Sequence, residues 1–261
     1  MKKYIALSLC FILIALKGYG LISQENKTMS KFSKSPLENQ LRQDMIKKNV
    51  WTSNCPVSLD RLNLLTLSYI DFDGNEHHDG QLIVHDIIAD HALTIFKELY
   101  ENKFPIASIK LIHEYNGDDD QSMEANNSSA FNCRTITNSN RPSLHSYGMA
   151  IDINPLQNPY LVTEYEAGKT NIPVQPSLGM EYVNRTNIRP GMVETILNNN
   201  SSVIGLFKDH GLSIWGGTWN YPIDWHHFQV TREQAVTISQ LSYSQGVAFF
   251  EKIVSKKINL E

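Results

Sequence analysis

The chain has 261 residues, 41% hydrophobic and 10% aromatic, which suffices for one sizeable core in a single domain. Its formal net charge of −4 comes without the basic patch or stripe of a nucleic-acid binder, so nucleic acid is excluded as a partner. The charge balance singles out no other partner.

In chain order, Met1-Lys2-Lys3 is a short basic start and Tyr4 to Leu16 an apolar run. That run falls short of the roughly 20 residues that cross a bilayer. It fits the apolar region of a secretory signal peptide, with Gly18, Gly20 and Ser23 as small residues for cleavage. Residues 1–23 are therefore expected to be a leader, and the mature chain to be exported to the periplasm or beyond without a remaining membrane span. A retained N-terminal anchor is the lesser alternative. Cys10 follows Leu9, where lipidation wants a small residue, so no lipid is expected there. The leader gone, Cys55 and Cys133 remain. In an oxidising compartment they either form a bridge or stand as two separate buried thiols.

Residues 24–55 read as a polar linker, Gln24 to Lys34, and an N-terminal helix. Ser35 caps that helix, Pro36 takes its first position and Glu38 completes a capping box, with the helix running to about Lys48. Leu64 to Phe72 and Gln81 to Ile88 read as paired strands, with the turn dipeptides Asp73-Gly74 and Asp79-Gly80 between them. Ala92, Ile95, Phe96 and Leu99 recur at helical spacing within Ala89 to Asn102. Pro105 ends that helix, and Ile109 to Glu114 reads as a strand. Asn116 to Asn140 is a long polar loop, of a length that compact domains keep for function. Short strands follow at Met149 to Ile153 and Phe228 to Val230. Helices are expected at Met192 to Asn198, Ser202 to His210, Arg232 to Leu241 and Gly246 to Val254. Hairpins outnumber alternating βαβ units, which predicts an α+β fold with an antiparallel sheet.

Two segments carry chemistry. In the first, Ser143 to Asp152, a strand over Met149 to Ile153 puts Ala150 and Asp152 on one face and Met149, Ile151 and Ile153 in the core. A carboxylate beside alanine leaves room for a metal, and Gly148 lets the chain fold back so that His145 faces Asp152. Imidazole and carboxylate are both zinc ligands. The second segment runs from Trp215-Gly216-Gly217-Thr218-Trp219 to Asp224-Trp225-His226-His227-Phe228. A zinc hydrolase keeps three protein ligands, one open position and a nearby general base. One of the two histidines can be the third ligand and Asp224 the base. Neighbouring histidines on a strand face opposite ways; spacing leaves both open, and alternation leans to His227.

Ser-x-His-x-x-Gly-x-Ala-x-Asp followed by Asp-x-x-His-Phe resembles the D-alanyl-D-alanine carboxypeptidase and L-alanyl-D-glutamate endopeptidase family of zinc peptidases. That family shares its fold with the D-Ala-D-Ala dipeptidases and the hedgehog domain, so the resemblance, which runs loosely from about Pro56 to Val230, implies an antiparallel sheet flanked by helices in a domain expected over residues 56–261. It implies one Zn2+ per chain, held by His145, Asp152 and His227, with Asp224 as general base. Phe131-Asn132-Cys133-Arg134 is similar to the stretch where the family places a substrate-contacting arginine, which makes Arg134 a catalytic candidate. Ser143 and Trp215 are the substrate-binding candidates, and the implied partner is a peptidoglycan peptide met by a monomer. Dipeptidase relatives carry Glu where Asp224 stands, and Trp225-His226 departs from the family's usual pair, leaving the role of His226 open.

Other readings stand beside this one. A zinc-bearing, non-catalytic binding module would keep the ligands without turnover, though Asp224 argues against it. A non-haem iron site would place its first two ligands two residues apart, whereas His145 and Asp152 are seven apart. His77, His78, His85, His91, His113 and His210 lack ligand spacing and read as packed or surface residues. Asp118 to Asp120 reads as a solvated loop without the alternating oxygen pattern of a calcium site. Arg134 could equally be a surface ion-pair partner. Trp215, Trp219 and Trp225 divide between core and cleft wall. The bond cut is not legible in the sequence.

Overall fold

The longest hairpin organises one half of the molecule. In the computed structural model, which describes residues 32–137, 139–162, 164–166, 169–198 and 200–258, strand β2 (Leu62–Ile70) pairs antiparallel with β3 (Glu76–His85). Alternation puts Leu65 and Leu67 on one buried face with Leu82 and Val84, while Leu62 is buried on the other. The turn forms at Asp71 to Asn75, where Asp71 Oδ1 accepts the amides of Asp73 and Asn75. The second turn dipeptide, Asp79-Gly80, instead lies inside β3 at an irregularity of the ladder between Leu67 and Tyr69. The expected leader and most of the expected linker lie outside the described residues.

Strand β1 (Ser33–Pro36) adds to the outer edge of β2. The expected helix start at Ser35-Pro36 is thereby displaced: Pro36 ends an edge strand, where a missing N–H is tolerated. Helix α1 (Asn39–Lys47) begins after Glu38, which makes no side-chain cap. Leu37, Met45 and Val50 join the same core as the hairpin. Helix α2 (Ala89–Glu101) packs its 3.6-residue stripe on β2, burying Ala92, Ile95, Phe96 and Leu99.

The expected strand at Ile109 to Glu114 shrinks to β4 (Ser108–Ile109), followed by a 3-10 turn over Ile112–Tyr115. Its ladder stops because the Asn127 side chain takes both the amide (2.7 Å) and the carbonyl (3.0 Å) of Lys110. The long polar segment is correspondingly structured. Helix α3 (Asp119–Glu124) is capped by Asp118, which accepts from Gln121 N at 3.0 Å, and β5 (Asn127–Ser128) lies parallel to β4.

Two three-stranded antiparallel sheets carry the remaining site elements. In one, β13 (His227–Gln229) lies between β11 (Ile214–Trp215) and β6 (Ala150–Asp152). In the other, β7 (Tyr160–Leu161) lies between β10 (Val174–Gln175) and β12 (Ile223–Asp224). A hairpin of β8 (Glu164–Glu166) and β9 (Lys169–Asn171) connects within the second. The helix expected at Met192 to Asn198 is absent. There the Val193 amide goes to Asn158 Oδ1 and Leu197 N to Ser201 O, closing a loop instead of a helical turn. Helix α4 (Val203–Asp209) starts at its Ser202 cap, and α5 (Arg232–Gln240) at a capping box of Thr231 and Gln234. Helix α6 (Tyr243–Ile258) closes the described chain. The class is mixed α+β, as expected. No helix among the described residues is long and apolar enough to cross a membrane. Cys55 and Cys133 form a disulfide, with Cα atoms 5.9 Å apart.

Candidate metal centre

His145 stands on a single 3-10 turn, Leu144–Tyr147, whose first amides are met by Ser143: its hydroxyl accepts from His145 N at 3.3 Å. Gly148 ends the turn at φ +66°, and a Cβ there would lie 2.6 Å from the His85 amide nitrogen. Only glycine meets both the left-handed backbone and that close approach. The chain reverses there into β6, which carries Asp152. Across the ladder, His227 on β13 is the register partner of Asp152.

The three side chains converge in the interior. His145 Nε2 lies 3.1 Å from His227 Nδ1 and 3.1 Å from Asp152 Oδ2, while His227 Nδ1 lies 2.9 Å from Asp152 Oδ1. All three are buried, and their candidate ligand atoms fall within 4.8 Å of one another. The opposite ring nitrogens are fixed. His145 Nδ1 donates to the Ala130 carbonyl at 2.5 Å, and His227 Nε2 donates to Gln229 Oε1 at 2.7 Å. A carbonyl can only accept, so the proton of each neutral ring is held outward and a lone pair points inward. Two imidazole lone pairs and a carboxylate facing one another in a buried space repel unless a cation or a shared proton lies between them. The donor set therefore fits a divalent metal of the zinc class. Within the protein alone, burial would raise the Asp152 carboxyl, but the charges of His145 and His226 and hydrogen bonds from His145 and His227 hold it well below the usual range. Burial opposes a charge on His227, yet its bond to Asp152 raises it.

Asp224 and His226 form a second tier. His226 Nδ1 donates to the Asn158 carbonyl at 2.8 Å; its Nε2 lies 3.0 Å from Asp224 Oδ1 and 4.0 Å from Asp152 Oδ2. Burial works against its charge, but Asp224 and Asp152 push it up to about 10. His226 thus lies between Asp224 and the ligand cluster, a role its sequence position left open. Asn158 is itself fixed, its amide donating to Ile153 O and its Oδ1 accepting from Arg185. Gly216 sets the position of Asp224 from the other side, because a Cβ there would stand 2.5 Å from the Asp224 carbonyl oxygen.

These residues open onto a cavity of about 340 Å3, lined among others by Arg134, Ser143, Tyr160, Trp219 and Asp224. Arg134 reaches it as an ion-paired residue, Nη2 lying 2.5 Å from Asp119 Oδ2, while its buried Nε–H has no partner among the described residues. Ser143 lines the cavity with its hydroxyl engaged in the turn. Trp215 is not among the lining residues: its Nε1 donates to the Trp225 carbonyl at 2.8 Å and its ring stacks with Phe228. Trp219, at the other end of the same glycine turn, faces the cavity and lies 5.5 Å from the His227 ring. Trp225 packs with Leu161 and Val174 in a small cluster beside the core.

The roles of Gln229, Ala130 and Asp119 escape a motif reading because each acts through a neighbour. Gln229 alone had a signal, since a strand puts it on the same face as His227.

Fold and site together define an α+β protein with a buried, two-histidine, one-carboxylate candidate metal centre. Residues 137–230 match the model of the family described as D-alanyl-D-alanine carboxypeptidase. The match holds His145, Asp152, Asp224 and His227 and stops short of Arg134. No curated protein and no solved structure matches the chain.

Proposed function

We propose that this chain is an exported zinc metallopeptidase that hydrolyses amide bonds in peptidoglycan stem peptides. The observation that carries the reading is the outward fixing of two ring protons, by Ala130 O and Gln229 Oε1, which turns both lone pairs onto the Asp152 carboxylate. Bound there by His145, Asp152 and His227, zinc would supply Lewis acidity toward a water and the scissile carbonyl. Asp224 lines the same cavity and takes a proton from the attacking water, then hands it to the leaving amine. His226 holds Asp224 in place. Arg134, steadied by Asp119, has its unpartnered Nε–H to offer charge growing on the carbonyl oxygen. Ser143 contributes to the wall that receives the peptide, and Trp219 supplies the aromatic surface first sought in Trp215.

Export rests on the N-terminal leader pattern and is supported by the Cys55–Cys133 bridge, which an oxidising compartment maintains. The chain acts as a monomer in the periplasm or outside the cell. Its test is mass spectrometry of purified muropeptides incubated with the protein, with and without chelator. Loss of a defined fragment on chelation and its return with zinc is expected. A parent protein that carries zinc and cuts no muropeptide would instead be a non-catalytic module.

A further inference from the structure

Six fully ionising side chains line the cavity: Asp119, Asp120, Arg134, Asp152, Asp224 and Arg232. Four of them are matched inside the protein. Arg134 pairs with Asp119 at 2.5 Å, Asp152 faces His145 and His227, and Asp224 faces His226 at 3.0 Å. Arg232 is different. Among the described residues it has no carboxylate within ion-pair distance, and its one hydrogen bond runs from Nη1 to the Pro142 carbonyl at 3.0 Å. Its neighbours add to the imbalance, since burial and Arg141 both act against its charge and lower its pKa from the usual arginine value. A half-buried guanidinium stays ionised even so, and four of its five N–H donors remain to be used. Arg232 is the first residue of α5, two positions beyond the stretch that matches the peptidase family.

The geometry points to Arg232 as the residue that docks a free carboxylate of the peptide substrate, making this a peptidase selective for an acidic terminus or side group. The inference rests on the function proposed above and assigns the substrate-reading charge within the same cavity. Arg134 is the obvious rival and is disfavoured: Asp119 already occupies its Nη2, and Asp120 lies close enough to feel its charge. A guanidinium forks onto a carboxylate through two parallel hydrogen bonds, which supplies geometry as well as attraction. The amides of Thr231 and Gln234 do not compete for that anion, because these two residues satisfy each other in the capping box. Asp120 on the α3 side, without an ion-pair partner among the described residues, repels a carboxylate and turns it toward Arg232.

The test uses the full-length mature protein loaded with zinc and a matched pair of stem-peptide substrates, one ending in a free carboxylate and the other in its neutral carboxamide. The parent is expected to prefer the free acid in kcat/KM by about 10- to 100-fold, the range of a charge-assisted hydrogen bond. In Arg232→Gln the ratio of acid to amide collapses toward one, with the change carried by KM, and Arg232→Lys recovers part of it. A merely structural role through the Pro142 bond would slow both peptides alike and leave the ratio unmoved. An unchanged ratio in Arg232→Gln, or a parent without preference, overturns the inference while leaving the peptidase reading intact. If the parent cuts neither peptide, the peptidase reading fails. Calorimetric binding of the same two peptides to parent and Arg232→Gln then decides the carboxylate site alone, and equal or absent binding rejects it.

Discussion

Asp152 and His227 are register partners across the β6–β13 ladder, and their side chains meet at 2.9 Å. The ladder fixes two of the candidate ligands with backbone hydrogen bonds, so only His145 has to be delivered by a turn. Removing zinc with a chelator should leave the buried donor set to repel itself, lowering the thermal midpoint, and added zinc should restore it by mass action. His227→Ala should lose the zinc response altogether. A chelator-insensitive midpoint in the parent would show that no metal stabilises this fold.

Gln229 acts on the candidate metal centre through His227, holding Nε2 at 2.7 Å so that Nδ1 faces inward. Gln229→Leu keeps the side chain's size and removes the acceptor. Zinc affinity, measured by competition with a chromophoric chelator, should fall about 10- to 100-fold, the usual cost of losing such an outer partner. Affinity equal to that of the parent would mean that ring packing alone orients the histidine.

Asp224 is held by His226 on one side and pressed by Gly216 on the other. Asp224→Ala should retain one zinc per chain and lose turnover by about 10²- to 10⁴-fold, the range for general base catalysis. Gly216→Ala tests the same position without touching the carboxylate. Its new Cβ would stand 2.5 Å from the Asp224 carbonyl oxygen, so that backbone must shift. A displacement near 1 Å costs on the order of 10²-fold in rate. Zinc content should be unchanged, which separates a misplaced base from a damaged metal site.

The elements that were legible in the sequence are those fixed by local period. Ala92, Ile95, Phe96 and Leu99 declare α2 because one helical face suffices to bury them. The three residues that converge as a candidate metal centre were singled out through motif spacing, and strand alternation leaned toward His227. What stayed hidden depends on distant side chains taking over backbone groups. Asn127 ends β4 by bonding Lys110 on both sides, and Asn158 takes the Val193 amide that a helix would have used. The segment from Asn116 read as a long loop because it is polar, yet Ser122, Asn127 and Ser128 are buried and hydrogen-bonded. Likewise no spacing rule distinguishes Trp215 from Trp219. The choice follows from the Trp225 carbonyl that captures the Trp215 indole.

His91 and His210 join α2 to the end of α4 through facing Nδ1 atoms 3.1 Å apart. One ring must donate and the other accept, so both cannot be protonated and keep the bond. Burial and the neighbouring His91 lower the pKa of His210, while Asp209 and Glu251 work the other way. A folded pKa below the unfolded value means that the unfolded chain binds the proton first as pH falls. The contribution is therefore complete above about pH 6.5 and is lost progressively below it. The thermal midpoint of the parent should decline between pH 7 and 5 more steeply than that of His210→Asn. Parallel profiles would show that the pair carries no acid sensitivity.

The Cys55–Cys133 bridge spans 78 residues of sequence and ends one residue before Arg134. It joins the segment after α1 to the strand-like stretch whose Cys133 amide also bonds the Val50 carbonyl at 3.2 Å. Closing a loop of that length restricts the unfolded chain, so Cys55→Ser with Cys133→Ser should cost roughly 2–5 kcal/mol in denaturant unfolding. The same bridge anchors the backbone that presents Arg134 to the cavity. At temperatures where the double variant is still folded, its kcat should fall while zinc content stays at the parent level. A variant that loses stability but keeps full kcat would show that the Asp119 ion pair alone suffices to place Arg134, and that the disulfide serves only the fold.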